Sequence, residues 1–440
     1  MQAGLLVGLA SLFSAACSPA APDHPEEPAP DHPENAVVLG SLLTLSGSGS
    51  DIGRNLGQAM SLAVEHVNAA GGIDGRPLDI VSRDSHAGSE RGFEELLELL
   101  YTDQVVYLVG PEENELAREI APDVRSLDVF HMIPGQAAPS VARTEARGGW
   151  MRLAPSTSAF GCALAKIAVR EDIATVNSLA ERKDYHASIS SEFTTRFAAL
   201  GGRILPSVTF TSGEPTYTPQ IESALAPNPG RTLLSTDPAA AAAIVTEWND
   251  SGSGGTWLLG PALRADALLA RIPAGSLDGH HGVSPSLSLR SECQPVDEAQ
   301  ETVDCTAGNA AAFIEQFSSR WSGEAPLPAA HFYYDGVVLI AMGLVYAQAT
   351  SGTIPTSGHE LQAILRELSS PEHEAASWRD LETAMTRLRA GIPLRYVGAA
   401  AEYEFDSYGA SQHHLVQEWT IDGDTIVDLA PIAVTCEASQ

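Results

Sequence analysis

The chain has 440 residues, of which 44% are apolar, so it is long enough for two domains that each bury a core. It carries 56 acidic and 25 basic residues, a formal net charge of −31. A surface this acidic repels phosphate backbones and argues against a nucleic-acid partner, although the charge can also serve solubility alone.

The first 36 residues have the composition of an export signal followed by a tether. Residues 1–17 hold an apolar run, too short to span a bilayer, that ends in Ser-Ala-Ala-Cys. This ending resembles a bacterial lipobox, which predicts lipidation of Cys17; an ordinary cleaved signal with an incidental cysteine is the alternative. Residues 18–36 are rich in proline and acid, which predicts an extended tether between a lipid anchor and the folded body.

The other four cysteines form an even set, which in an exported chain predicts two disulfides. Cys293 and Cys305 bracket an acidic loop and are the predicted first pair. Cys162 and Cys436 then remain for the second pair. None of the spacings resembles a zinc site.

From residue 37 the chain alternates strand and helix patterns. Residues 37–45 form an apolar run of strand length, and residues 55–72 carry apolar side chains at helical spacing. Gly71 or Gly72 can adopt the left-handed conformation that ends a helix, and Ile73 can pack back on it. A strand–helix–strand unit of this kind normally makes a right-handed parallel crossover. The pattern repeats through two further helices and strands, which predicts an α/β lobe.

A second series of the same kind begins at residue 161 and predicts a second α/β lobe. Four helices alternate with four strands as far as residue 260. Strong helix patterns follow in residues 308–321 and 331–349. Residues 396–427 alternate like antiparallel strands joined by turns.

The sequence contains none of the common catalytic motifs. It has no G-x-S-x-G elbow, no H-E-x-x-H and no phosphate-binding G-x-x-x-x-G-K-[ST]. The histidine pairs 280–281 and 413–414 are chain neighbours whose side chains diverge in a strand, which does not favour a metal site. His24 and His32 stand beside carboxylates in the tether, where a solvated linker is a simpler interpretation than a weak metal site. We therefore expect no catalytic residues, no cofactor and no bound metal.

Seven segments between residues 37 and 430 carry a family resemblance through their order and spacing. They include LSGSGSDIGRNLGQAMSLAVEHVNAAGGIDGRPLDIVSRDS, YLVGPEEN, MIPGQAAPSV, MRLAPSTSAFG, KDYHASISSEF, HFYYDGVVLIAMGL and YEFDSYGASQ. A chain with these segments resembles the type I periplasmic solute-binding proteins of the branched-chain amino acid transporter group. The resemblance implies an α/β fold of two doubly wound parallel-sheet lobes, a Venus flytrap, joined by three crossovers. We expect the crossovers near residues 151–156, 280–288 and 393–399.

The same resemblance implies how the lobes are composed and what they do. Lobe 1 would comprise residues 37–153 plus 285–396, and lobe 2 residues 154–284 plus 397–440. Ligands of such proteins bind between the lobes at the carboxyl ends of the strands, and hinge closure traps them. The implied function is a periplasmic or cell-surface lipoprotein of a bacterial membrane that captures a small polar ligand, with an ABC permease as partner. A sensor or interaction lipoprotein that keeps the bilobal fold without transport is the alternative.

Positions that match the family's carboxylate-binding contacts differ in this chain. In leucine/isoleucine/valine-binding proteins a serine-rich loop holds the ligand carboxylate. Here that loop is Glu112, Glu113 and Asn114, and two acids beside a carboxylate are repulsive. The family also uses a threonine, and Ala137 stands at that position beside Gln136.

Positions that match the family's ammonium-binding contacts also differ. Ala262 stands where the family has an acid, whereas Tyr185 matches a ligand-contacting tyrosine. An ammonium buried without a partner costs several kcal/mol, so leucine, isoleucine and valine should bind poorly. Asp237 lies in a further loop expected at the cleft. Glu113 and Asp237 favour a cationic or hydroxyl-rich ligand if they face the cleft; the alternative is that they point to solvent.

Overall fold

Two parallel sheets form the frame of the computed structural model, which describes residues 33, 35–47, 49–88, 90–135, 148–252, 254–286, 294–297, 302–304, 308–412 and 415–434. The lobe 1 sheet contains β1 (Val37–Leu43), β2 (Leu78–Asp84), β3 (Tyr107–Val109), β4 (Phe130–Ile133) and β5 (Trp150–Arg152). All five are parallel, in the order β2-β1-β3-β4-β5. The helices between them are α1 (Ser50–Ala69), α2 (Glu90–Leu97) and α3 (Asn114–Ser126).

The lobe 2 sheet is built the same way. Its first strands are β6 (Thr175–Glu181), β7 (Arg203–Ile204), β8 (Val208–Phe210), β9 (Arg231–Ser235), β10 (Trp257–Leu259) and β11 (His281–Pro285). Its helices are α4 (Thr157–Arg170), α5 (Asp184–Ala199), α6 (Thr218–Leu225), α7 (Pro238–Ser251) and α8 (Asp266–Leu269). Strands β6, β9, β10 and β11 run parallel in that order.

The rest of the chain first adds elements to lobe 1 and then completes the lobe 2 sheet. The elements after β11 are β12 (Gln294–Asp297), β13 (Thr302–Asp304), α9 (Asn309–Arg320), α10 (Pro328–Ser351), α11 (Gly358–Leu368), β14 (Glu374–Ser377), α12 (Leu381–Arg389), β15 (Leu394–Val397), β16 (Leu415–Asp422), β17 (Thr425–Asp428) and β18 (Ile432–Ala433). Strand β16 joins β11 antiparallel and forms a hairpin with β17. The antiparallel pattern predicted for residues 396–427 is thus confirmed for the hairpin, whereas β15 pairs parallel with β14.

The predicted end of the first helix is confirmed. Gly71 and Gly72 have φ of 95° and 61°, which only glycine adopts readily. The Gly72 amide donates to the Val67 carbonyl at 3.0 Å, as in a helix C-terminal cap. Ile73 is fully buried in the lobe 1 core, so the turn is fixed by packing as well as by hydrogen bonds.

Helix α10 forms the centre of the lobe 1 core. Among the described residues it is the one helix long and apolar enough to cross a membrane, and 94% of its apolar window is buried inside the protein. It packs against α1, α11 and α12. Burial inside a folded lobe accounts for its hydrophobicity.

The third crossover lies later than residues 393–399, where the sequence placed it. Asp335 of α10 accepts hydrogen bonds from the hydroxyls of Tyr396 and Tyr403 at 2.8 and 2.7 Å and from two backbone amides between them. The Ser411 amide donates to the Arg152 carbonyl of β5 at 2.9 Å. Residues 397–411 therefore belong with lobe 1, and the assignment of this stretch to lobe 2 is wrong.

Candidate functional site

The strand ends of lobe 1 meet in a hydrogen-bonded cluster. Strands β1 and β2 pair in register as far as Leu43 and Asp84, so the next residues, Thr44 and Ser85, lie side by side. Their hydroxyl oxygens are 3.1 Å apart. Both donate to Oε1 of Glu113, which lies just before α3, at 2.5 Å from Thr44 and 2.7 Å from Ser85.

Three buried polar atoms near the Thr44 and Ser85 hydroxyls have no hydrogen-bond partner in the described part of the chain. They are Oε2 of Glu112, Oε2 of Glu113 and the hydroxyl of Tyr333. Tyr333 is 1% exposed, and its hydroxyl lies under Gly135, where a Cβ would be 3.8 Å away. Burial raises the pKa of Tyr333, and the charges of Glu112 and Glu113 raise it further. We call these three residues with Thr44 and Ser85 the lobe 1 cluster.

The carboxyl group of Glu112 titrates near neutral pH. Burial raises its pKa to about 7, the charge of Glu113 adds to the rise, and hydrogen bonding with Thr44 opposes it. A partly buried acid whose pKa is displaced this far is typical of functional sites, because a structural acid is normally matched by a cation or by donors.

The strand ends of lobe 2 form a second cluster, which we call the lobe 2 cluster. Glu181 ends β6, and its Oε2 accepts from Thr236 Oγ1, just after β9, at 2.7 Å. His186 Nε2 lies 3.1 Å from Asp237 Oδ1. The ammonium of Lys183 lies 2.5 Å from Asp237 Oδ2 and 3.1 Å from Glu181 Oε1. The two acids are thus paired within the lobe.

The pairing lowers the pKa of both acids in the lobe 2 cluster. The hydrogen bond with His186 and the charge of Lys183 hold the pKa of Asp237 well below its usual range. Burial acts in the opposite direction on Glu181, but hydrogen bonds from Thr236 and other donors lower its pKa overall. Glu181, His186 and Asp237 each offer one potential metal-ligand atom within 4.8 Å of the others. The ammonium of Lys183 already contacts both carboxylates, so the two acids of this trio have a cation of the chain beside them.

Contacts between the lobes lie next to both clusters. Arg118 of α3 pairs with Asp184 of α5 at 3.4 Å. The Asp184 amide also donates to Glu115 Oε1 at 3.1 Å. Glu115 follows Glu113 by two residues and Asp184 follows Lys183 directly, so the carboxyl ends of the two sheets face each other across one cleft.

The structure places the predicted site residues as follows. Glu113 lies in the lobe 1 cluster and Asp237 in the lobe 2 cluster. The Tyr185 ring packs partly buried against the core of lobe 2, with its centroid 5.2 Å from that of His186. Ala262 is partly exposed in a short helical turn directly after β10. The contact of these four residues with a ligand stays a prediction.

Other predicted residues lie wholly or partly outside the description. Asn114 begins α3, but its side chain is outside the described part of the chain. Outside it altogether are Gln136, Ala137, Cys17, Cys293, Cys305 and Cys436. Cys162 is buried in α4 and disulfide-bonded, which agrees with an oxidising compartment. Its pairing with Cys436 stays a prediction.

Sequence reasoning missed several residues of the clusters, among them Glu181, Lys183 and Tyr333. Glu181 and Lys183 stand at the end of a predicted strand, so their position was a usable signal. Tyr333 had no such signal, since it lies in a helix that is apolar all round.

The comparisons with known proteins agree with this architecture. The family model for periplasmic binding proteins matches residues 36–372, so the chain belongs to that family. The predicted family is confirmed, and it is a family of extracytoplasmic binding proteins.

Individual relatives and solved structures are similar to this chain. The chemotactic signal transduction system substrate-binding protein BasB of Halobacterium salinarum is 28% identical over 280 residues, which cover 60% of this chain and 67% of BasB. The leucine binding protein LivK of Thermotoga maritima has a TM-score of 0.70 at 16% identity, covering 90% of this chain and 99% of LivK. An ABC transporter solute-binding protein of Rhodopseudomonas palustris, solved with 3,4-dihydroxybenzoic acid, has a TM-score of 0.67 at 14% identity. The match covers 91% of this chain and 98% of that protein. The predicted bilobal α/β fold is thus confirmed.

Proposed function

We propose that this protein is a lipid-anchored receptor that captures a small polar solute between its two lobes. The observation that carries the proposal is the pair of polar clusters at the facing strand ends, joined by the Arg118–Asp184 contact. In open α/β sheets this edge binds ligands, and closure of two such lobes surrounds the solute. Family membership supports the same conclusion.

Branched-chain amino acids are not the proposed ligands in the pose of the leucine-binding relatives. Glu113 lies where the resemblance places the ligand carboxylate, and Glu112 is beside it. Ala262 offers no acid to an ammonium at the other end. Both ends of leucine would therefore meet unsuitable groups.

Two downstream roles fit a receptor of this kind. The similar ABC transporter solute-binding protein of Rhodopseudomonas palustris favours delivery to an ABC importer, whereas BasB, a chemotactic substrate-binding protein, favours signalling. Affinity purification of the membrane-anchored protein in the presence of its solute separates them. Recovery of a permease supports import, and recovery of a membrane signal transducer supports sensing.

A thermal-shift screen tests solute capture. Amino acids, polyamines, sugars, amides and aromatic acids would be added to the purified protein. Binding to the native state adds about 2.7 kcal/mol of stability at a hundredfold excess over Kd, so a true ligand is readily seen. We expect Tyr185→Ala to weaken the shift, and Tyr101→Ala, at a side chain 58% exposed, to leave it unchanged. No shift with any class, or a shift unaffected by Tyr185→Ala, would contradict capture in this cleft.

Metabolic labelling with a fatty acid tests the anchor. The wild-type protein should be labelled and Cys17→Ser should not. Equal labelling of both would remove the lipid from the proposal.

A further inference from the structure

We infer that the solute is a cation with N–H donors, an alkylammonium or a guanidinium group, bound by Glu112 and Glu113 of lobe 1. The inference rests on the proposed function, since it names the class of solute for the same cleft. It also reverses the pose expected from the leucine-binding relatives, because the cationic end is assigned to lobe 1.

The free oxygens of the lobe 1 cluster are acceptors. Oε1 of Glu113 already receives two hydroxyl hydrogen bonds, which leaves its Oε2 without a donor. Oε2 of Glu112 and the hydroxyl of Tyr333 are likewise buried without partners among the described residues. An ammonium brings three N–H donors and a guanidinium five, so either group matches this set. A ligand group that only accepts hydrogen bonds would leave both carboxylate oxygens unsatisfied.

No cation of the described chain serves these acids. On the lobe 1 sheet, Arg83 of β2 pairs with Asp103 at 2.8 Å and with Glu95 at 3.2 Å, and the buried Arg152 of β5 lies near the charge of Asp406. His86 lies 3.2 Å from Asp84. Among the described residues, the half-buried carboxylate of Glu113 is therefore balanced by hydroxyl dipoles and by no cation, which favours a cation from solution. The net charge of −31 adds a general attraction for such solutes.

The geometry also separates N–H cations from other positive ligands. Quaternary ammonium groups have no donors and are recognised by the faces of several aromatic rings. Tyr333 instead presents its hydroxyl at the cluster, beside two carboxylates. A divalent metal ion would also be attracted by two carboxylates, so it belongs among the probes.

The experiment is a thermal-shift and calorimetric comparison at pH 8, with putrescine, arginine, glycine betaine, leucine, benzoate and calcium chloride as probes. We expect putrescine or arginine to raise the melting temperature and the other four to have little effect. Glu113→Gln should weaken binding of the active cation at least about tenfold, because a charge-assisted hydrogen bond becomes a neutral one. Tyr333→Phe should weaken it by a smaller factor. The matched control is Glu119→Gln, which removes an exposed acid from α3, the helix that follows Glu113, and should leave the affinity unchanged.

Each other outcome has a defined meaning. Stabilisation by leucine or benzoate alone would overturn the cation assignment and leave solute capture standing. Stabilisation by calcium alone, or by glycine betaine alone, would replace the N–H cation with a different class. An equal loss of affinity in Glu113→Gln and Glu119→Gln would place the cation outside the lobe 1 cluster. No stabilisation by any probe would contradict the inference and weigh against the proposed function. Circular dichroism of each variant checks folding, and Glu113→Asp, which keeps the charge, should bind better than Glu113→Gln.

Discussion

The two lobes place acids at equivalent strand ends but treat them differently. In the lobe 2 cluster, Glu181 and Asp237 are paired with Lys183, and Asp237 also contacts His186. In the lobe 1 cluster, Glu112 and Glu113 have hydrogen-bond donors but no cationic partner among the described residues, and each keeps a buried oxygen unpaired. A carboxylate removed from water needs a matching charge or donors. Lobe 2 therefore supplies the match from its own chain, whereas lobe 1 leaves it to the ligand.

Removing the internal partner of lobe 2 should have the largest effect on stability. Lys183→Met leaves Glu181, which is 1% exposed, beside Asp237 without the ammonium. We expect a loss of about 2–3 kcal/mol in the free energy of unfolding, since the group that remains is a buried charge. Chemical denaturation measures the loss. Arg182→Met removes a cation from an exposed neighbour and is the control; equal losses in both variants would mean that Lys183 does not balance the acids.

Neutralising Glu112 in the lobe 1 cluster should raise the free energy of unfolding rather than lower it. Because the pKa of Glu112 is raised to about 7, the folded protein holds a proton between about pH 4.5 and 7 that the unfolded chain releases. Stability therefore falls as the pH rises through this window. Glu112→Gln has no carboxyl group to ionise in this window. It should therefore be about 1–2 kcal/mol more stable than wild type at pH 8, with no such gain at pH 4. A destabilised variant at pH 8 would show that the carboxylate is matched within lobe 1 after all.

The pH dependence of Asp237 should show how well lobe 2 is paired. Its pKa is lowered, so its contribution to stability is present above the ordinary value and is lost as the pH falls below about 4. The side chain is 45% exposed, which limits the contribution to about 1 kcal/mol. Unfolding measured at pH 6 and pH 3 should show the wild type losing more stability than Asp237→Asn. Parallel losses would mean that the pairing does not favour the ionised carboxylate.

Breaking the Arg118–Asp184 contact, which lies next to both clusters, should have the smallest effect of these four changes. Arg118 and Asp184 form a largely exposed pair, and such pairs contribute about 0.2–1 kcal/mol. Arg118→Ala should therefore weaken solute binding about two- to fivefold without changing the stability of the ligand-free protein measurably. Calorimetry with the stabilising cation measures this, and Arg366→Ala, at an exposed site on α11, is the control. An unchanged affinity would mean that this contact does not contribute to closure.

The sequence predicted the two sheets better than it predicted the polar residues at their strand ends. Strand and helix periodicities are local, so both sheets and the glycine turn at Gly71 and Gly72 followed from short windows. Glu113 and Asp237 were found because each follows a predicted strand. The role of Tyr333 depends on how α10 packs under the lobe 1 sheet, which no local pattern encodes. The late third crossover depends in the same way on the hydrogen bonds of Asp335 to a distant segment.

The most direct test of the central claim is the identity of the solute that the protein carries. Native mass spectrometry of freshly purified protein would detect a bound small molecule, and denaturation would release it for identification. The account predicts an amine or a guanidine, retained by the wild type and by Glu119→Gln but lost from Glu113→Gln. A retained sugar or carboxylic acid without a basic nitrogen would contradict it.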